Sequence, residues 1–122
     1  MLNIKRFAKS FKHALDGIKH VLDNDQNLAV HLVVALVVIS SSILLRVTPF
    51  EMAILGLTIL VVVSAEMVNS AIEKMVDLIT SDHKVEAKIA KDVAAGMVLL
   101  TAIGAIIIGF LIFSPYILRL LY

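Results

Sequence analysis

The sequence predicts an all-α integral membrane protein, a basic amphipathic surface helix followed by three transmembrane helices. Two observations carry that prediction. The 122 residues are 60% hydrophobic and only 17% charged, with a mean hydropathy of +0.97. Three long apolar windows then follow a lysine-rich stretch of helical period. A soluble domain is about half apolar and about a quarter charged, and one of this length lacks the interior to bury so much apolar side chain. An ordinary water-soluble globule and a disordered chain are both excluded. The absence of Cys excludes disulfides, thiolate metal sites and Cys nucleophiles. One membrane domain over residues 1–122 is expected.

The first element covers about residues 4–22. Ile4, Phe7, Ala8, Phe11, Leu15, Ile18 and Leu22 recur at helical spacing, with Lys5, Lys9, Lys12, Asp16 and Lys19 on the other side. A basic amphipathic helix of this kind lies in a membrane interface, apolar face down and cations toward anionic headgroups. Residues 1–20 lack the compact apolar run and small-residue cleavage site of a signal peptide, so the segment is expected to be retained. Residues 23–27 form a polar break. The first span is read over 28–45, about 27 Å as a helix and long enough for a bilayer core. Arg46 to Glu51 is a turn containing Pro49. The second span is read over 52–72, with Glu66 and Asn69 inside it. Residues 73–92 are charged. The third span, 93–113, has no charge, and residues 115–122 are a short tail.

Of the Lys and Arg residues, nine fall in the N-terminal segment and in 73–92, against Arg46 and Arg119 elsewhere. The positive-inside rule then places the amphipathic helix, the N-terminus and the 73–92 segment on the cytoplasmic side of the cell's inner or plasma membrane.

The second span does not end as a simple anchor would. Glu66, Asn69, Ser70, Glu73 and Asp77 stand at offsets of 0, 3, 4, 7 and 11. At helical spacing Glu66, Glu73 and Asp77 fall within about 40° of one another, with Asn69 flanking. Glu66 lies about 12 Å along the axis from Lys74. A carboxylate at that depth costs several kcal/mol unless it has partners or water. Lys84, Lys88 and Lys91 put cations beside the stripe near the start of the third span, with Asp92 next to Lys91. Carboxylates bind hard cations such as Mg²⁺, which bridge to phosphate oxygens, and lysines neutralise phosphate charge. Together they suit phosphoryl transfer at a membrane surface. GxxxxGK[ST], GxGxxG, HRD and DFG motifs are absent. Three helices cannot hide such a stripe well alone, so a homo-oligomer is expected. No nucleic-acid partner is expected.

The string Glu66-Met-Val-Asn69-Ser70-Ala71-Ile72-Glu73-Lys-Met-Val76-Asp77, followed by Lys91-Asp92-Val-Ala-Ala-Gly96, resembles the signature of the small bacterial integral-membrane lipid kinases. These are the prokaryotic diacylglycerol kinases and undecaprenol kinases, and the resemblance covers nearly the whole chain. It implies a homotrimer that moves the γ-phosphoryl of MgATP to a lipid hydroxyl. By the resemblance, Glu66 is the catalytic base and Asn69 helps to position the lipid substrate. Glu73 is a carboxylate holding Mg²⁺ on ATP. The second metal carboxylate, usually Glu, is here Asp25, one methylene shorter. Lys91 and Asp92 contact the nucleotide. Arg6 is a basic residue near phosphate and lipid, and His13 stands where the family often has Tyr near the nucleotide. Asp82, His83 and Lys84 fall in the loop over the nucleotide. Asn27-Leu28-Ala-Val-His31-Leu32 and Ile112-Phe113-Ser-Pro115-Tyr116 are similar to the Gram-positive branch, which implies undecaprenol as acceptor with diacylglycerol as the alternative.

A proton-coupled transporter is the main reading from another class, since an intramembrane Glu can mark an ion path. The stripe runs to the edge of the span and meets Lys91, and the third span has no polar face to line a path, which disfavours it. A passive anchor is disfavoured by the cost of the stripe.

Overall fold

A computed structural model of the chain describes residues 3–82 and 84–122. These residues form four helices: α1 (Ile4–Asn24), α2 (Gln26–Leu44), α3 (Pro49–Ile79) and α4 (Val85–Leu121). The last three are long and apolar enough to cross a membrane. α3 is the central element, packed most extensively along α4 and less so on α2.

α1 is capped by Asn3, whose Oδ1 accepts from the Arg6 amide at 3.1 Å. It has no buried residue, and Ile4, Phe7, Phe11, Leu15, Ile18 and Leu22 are all exposed along it. The polar break read over 23–27 narrows to one residue. Asp25, in extended conformation, ends α1 by donating its amide to the Val21 carbonyl at 2.8 Å. It also starts α2, its Oδ1 accepting from the amides of Asn27 (2.9 Å) and Leu28 (3.3 Å). The other carboxylate oxygen, Oδ2, accepts from the Ser70 hydroxyl on α3. A single side chain therefore fixes where one helix begins and which helix it packs against.

α2 ends in a Schellman motif. The Val47 amide reaches back to Ser42 O at 3.0 Å, and the Arg46 amide to Ile43 O at 3.2 Å. Arg46 holds the left-handed position, φ 53°, that usually falls to glycine. Thr48 then starts α3 with a capping box. Thr48 Oγ1 accepts from the Glu51 amide at 3.3 Å, and Glu51 Oε2 accepts from the Thr48 amide at 3.1 Å. Pro49 occupies the first turn, where its missing N–H costs nothing.

The 73–92 stretch is not one segment between spans. α3 runs on to Ile79 and α4 begins at Val85, so most of those charges stand on helix ends. Thr80–Lys84 connects them, with Thr80 Oγ1 accepting from the Asp82 amide at 3.1 Å. Residues 115–121, read as a tail, continue α4 despite Pro115. Tertiary contacts hold this last stretch. Ile112 is buried against Val47 and Leu55, with Phe113 and Tyr116 packed on the cluster. The Tyr116 hydroxyl donates to Glu51 Oε2 at 2.6 Å. At the far end of the pair, Lys91 Nζ donates to Asp77 Oδ1 at 2.5 Å. Glu51 with Tyr116, Leu55 with Ile112 and Asp77 with Lys91 keep one antiparallel register along the α3–α4 hairpin.

Thr48→Ala should lower stability by about 1 kcal/mol through loss of the α3 cap. Reversible unfolding in mixed micelles reads this directly. Asp25→Ala should cost about 1–2 kcal/mol, whereas Asp25→Asn should cost much less, because an amide oxygen caps as well as a carboxylate. Equal losses in the two Asp25 variants would contradict the capping role.

Candidate functional site

The polar face of α3 changes character along its length. Glu66 is 1% exposed, and Asn69 and Ser70 are also buried. Glu73 and Asp77, one and two further turns on, are exposed. The helix thus carries its carboxylates from apolar packing out to its open end. Most of them meet a partner there. Asn69 Nδ2 donates to Glu73 Oε1 at 2.9 Å, Ser70 donates to Asp25, and Lys91 pairs with Asp77. Glu66 Oε1 and Asn69 Oδ1 are buried with no hydrogen-bond partner among the described residues. A buried acceptor left unmade costs about 1–3 kcal/mol. Two of them, a turn apart on one helix face, mark the point at which the stripe is open to a donor from outside the chain.

Two recesses flank the exposed part of the stripe. One, of about 250 Å³, is lined by Asn24, Asp25, Asn27, Ser70, Glu73 and Asp77, with Lys74 at its edge. It unites both carboxylates expected to hold a metal. The other, of about 580 Å³, lies at the α3–α4 turn. Asp77, Asp82, Lys84, Lys88, Lys91 and Asp92 line it, so three lysines and three carboxylates converge there. Asp77 belongs to both recesses. The Lys91–Asp77 pair is 38% and 65% exposed on its two sides, so it contributes little to stability.

The fit to Mg²⁺ can be tested on the donor set. Among the described residues no three His, Asp or Glu side chains gather closely enough to hold an ion by themselves. Mg²⁺ does not need that, since it takes one or two carboxylates and completes its octahedron with water and substrate phosphate. Asp25 and Glu73 on one recess match that pattern. Asp25 Oδ1 is committed to two backbone amides, and Oδ2 accepts from Ser70 and Glu73 Oε1 from Asn69, so the second lone pair of Oδ2 and the other Glu73 oxygen are what a cation could use.

The helices therefore bring together Asp25 with Glu73, and Asp82 and Lys84 with Lys91 and Asp92. Glu66 and Asn69 lie one to two turns further along α3. Arg6 and His13 stand on exposed α1, and Arg6 is about 27 Å along the helix from its C-terminal end. They line neither recess. His83 lies outside the described residues. Ser70 and Asp77, read as part of the stripe, and Lys88, read as one of its neighbouring cations, also line the recesses, although no individual site role was assigned to them. Asp25 as a helix cap was also missed, although an Asp three residues ahead of an apolar run is a helix-start signal.

Comparison with known proteins follows this geometry. The family model for prokaryotic diacylglycerol kinase matches residues 12–113. An undecaprenol kinase of Bacillus subtilis is 42% identical over 112 residues, covering 92% of this chain and 91% of that protein. A diacylglycerol kinase of Synechocystis sp. is 38% identical over 113 residues, covering 92% of this chain and 65% of that protein. The matched region contains α2, α3 and the whole polar stripe, and on that extent the chain belongs to the prokaryotic diacylglycerol kinase family.

Proposed function

We propose that this lipid kinase transfers the γ-phosphoryl group of ATP to the hydroxyl of undecaprenol, at the junction between the buried and exposed halves of α3. The observation that carries the mechanism is Glu66, fully buried with one carboxylate oxygen that has no hydrogen-bond partner among the described residues. The identity with an undecaprenol kinase across most of both chains supports the acceptor. Diacylglycerol is the second reading, favoured by the Synechocystis relative.

In this reading the lipid hydroxyl donates to Glu66 as its oxygen attacks the γ-phosphorus. The bond from that phosphorus to the β–γ bridging oxygen breaks, ADP leaves, and the proton rests on Glu66. Asn69, bonded to Glu73, orients the acceptor with its free Oδ1. Asp25 and Glu73 would hold Mg²⁺, which when bound offsets phosphate charge and orders the donor. Lys91, with Lys84, Asp82 and Asp92 around it, binds the nucleotide in the recess at the α3–α4 turn, and the family resemblance adds His83 to the same nucleotide-binding set.

The arrangement within the membrane belongs to the same proposal. The Lys and Arg distribution supports a cytoplasmic site at the plasma membrane. α1, with its apolar face uncovered, is suited to lie in the interface. The family resemblance supports a homotrimer, and the distance of Arg6 and His13 from the recesses of their own chain supports a site completed by a neighbouring copy.

Purified protein given radiolabelled ATP and Mg²⁺ should label undecaprenol with a much higher kcat/KM than diacylglycerol. The reverse preference would reassign the acceptor and keep the chemistry. Glu66→Gln should reduce kcat by roughly 10²–10⁴-fold with ATP affinity retained. A glutamine variant of near-normal kcat sinks the assignment of Glu66. Glu73→Gln should raise the Mg²⁺ concentration at half-maximal rate by about tenfold, through loss of a charged ligand. An unchanged Mg²⁺ titration would remove Glu73 from the metal site.

A further inference from the structure

Hydroxyls inside the helices of this chain share a habit. Ser10 donates to Arg6 O at 3.0 Å, and Ser42, Thr58 and Thr101 donate to Ile39 O, Ile54 O and Val98 O, each at 2.8 Å. Each returns its proton to a carbonyl of its own helix, which is the local bond open to any Ser or Thr inside a helix. Ser70 departs from this. Its side chain is buried, and its hydroxyl leaves α3 to donate to Oδ2 of Asp25, 45 residues away in the chain.

The direction of that bond matters. Ser70 stands three residues before Glu73, so the two lie on one face of α3. Holding Oδ2 at Ser70 therefore brings it to the side of the recess that Glu73 lines. Oδ1 is held by the amides of Asn27 and Leu28, so both oxygens are fixed and the carboxylate cannot turn about its last bond. Charge matters as well. Three carboxylates line this recess, those of Asp25, Glu73 and Asp77. Asp77 already has a cation, Lys91. Asp25 and Glu73 are held by neutral donors instead, Ser70 and Asn69, which are consecutive buried residues of α3. A neutral donor orients a carboxylate and leaves its negative charge for another partner. Carboxylates that ligate metals are oriented by hydrogen bonds of this kind.

We propose that Ser70 is the positioning residue of the divalent-cation site. Its hydroxyl aims Oδ2 of Asp25 at the space beside Glu73, so that a side chain one methylene shorter than glutamate still reaches the cation. The inference rests on the Asp25–Glu73 metal pair of the lipid-kinase reading. It adds a residue that acts through Asp25 and touches neither phosphate nor lipid.

The test is direct cation binding to the full chain in nanodiscs of zwitterionic phosphatidylcholine, which offers no anionic headgroup as a competing site. Mn²⁺ is the probe, since it takes the same oxygen ligands in the same octahedral geometry as Mg²⁺. Its free fraction is read by electron paramagnetic resonance at fixed pH, without nucleotide. The wild type should bind Mn²⁺ at a site that Glu73→Gln weakens. Ser70→Ala should raise the Kd for Mn²⁺ by roughly tenfold, the low end of the effect of removing a group that orients a metal ligand. Ser70→Thr, which restores the hydroxyl, should recover most of the affinity. Ser70→Cys, close in size but a weak donor, should behave as Ala does, and it keeps the test open if the Ala variant does not fold. The Mg²⁺ concentration at half-maximal rate should follow the Mn²⁺ Kd through the series, with the undecaprenol KM unchanged. A Ser70 that only ties α3 to the α1–α2 junction would lower the unfolding temperature of the metal-free protein and leave the Mn²⁺ Kd where it was, and that result overturns the proposal. An active wild type that binds no Mn²⁺ without nucleotide also overturns it, because the nucleotide and not this pair then places the cation. A wild type that binds Mn²⁺ with the expected dependence on Ser70, yet phosphorylates no lipid alcohol, would overturn the kinase reading and bear out the cation site.

Discussion

Asp25 is the constraint on which the rest of the structure depends. Its amide closes α1, its Oδ1 opens α2, and its Oδ2 holds Ser70 on α3. Three helices meet through one residue, with no loop to absorb error. A glutamate there would have to place its carboxylate through an extra methylene, and glutamate is not among the favoured capping residues. The shorter side chain that looks like a departure from the family pattern thus has a structural cause. The same carboxylate faces the recess shared with Glu73, so helix placement and site geometry are fixed by one group.

The polar stripe shows how such a group is tolerated in an apolar bundle. Buried Ser70 is matched by Asp25, and the exposed members are matched too, Glu73 by Asn69 and Asp77 by Lys91. The unmatched oxygens sit together, at Glu66 and Asn69. Buried polar groups are normally hydrogen-bonded, and the exceptions call for a reason. The role proposed for Glu66, accepting a proton from an incoming hydroxyl, would supply one.

Much of this was legible in the sequence. The three apolar windows located three long helices, because length and hydropathy alone decide which segments can span a bilayer. The offsets of Glu66, Asn69, Glu73 and Asp77 put them on one face, because helical period is a local property. What was not legible depended on contacts between distant residues. Pro115 and the short run after it read as a tail, yet Tyr116 reaches Glu51 and Ile112 packs on Leu55, and these contacts extend α4. The charges of 73–92 read as a separate segment, because charge marks the end of an apolar window and not the end of a helix.

The unequal lengths of the helices have one further consequence. α2 has 19 residues and α3 has 31, about 28 Å against about 46 Å. A hydrocarbon layer is about 30 Å thick, so α2 fits within it and α3 must emerge. α3 packs along α4 over most of its length, with Glu51–Tyr116 and Asp77–Lys91 keeping the register at the two ends, so the emerging part does not stand alone. One uninterrupted helix then crosses from oil to water. A water-soluble donor and an oil-soluble acceptor can each stay in the phase where it dissolves and still reach neighbouring turns of the same rod.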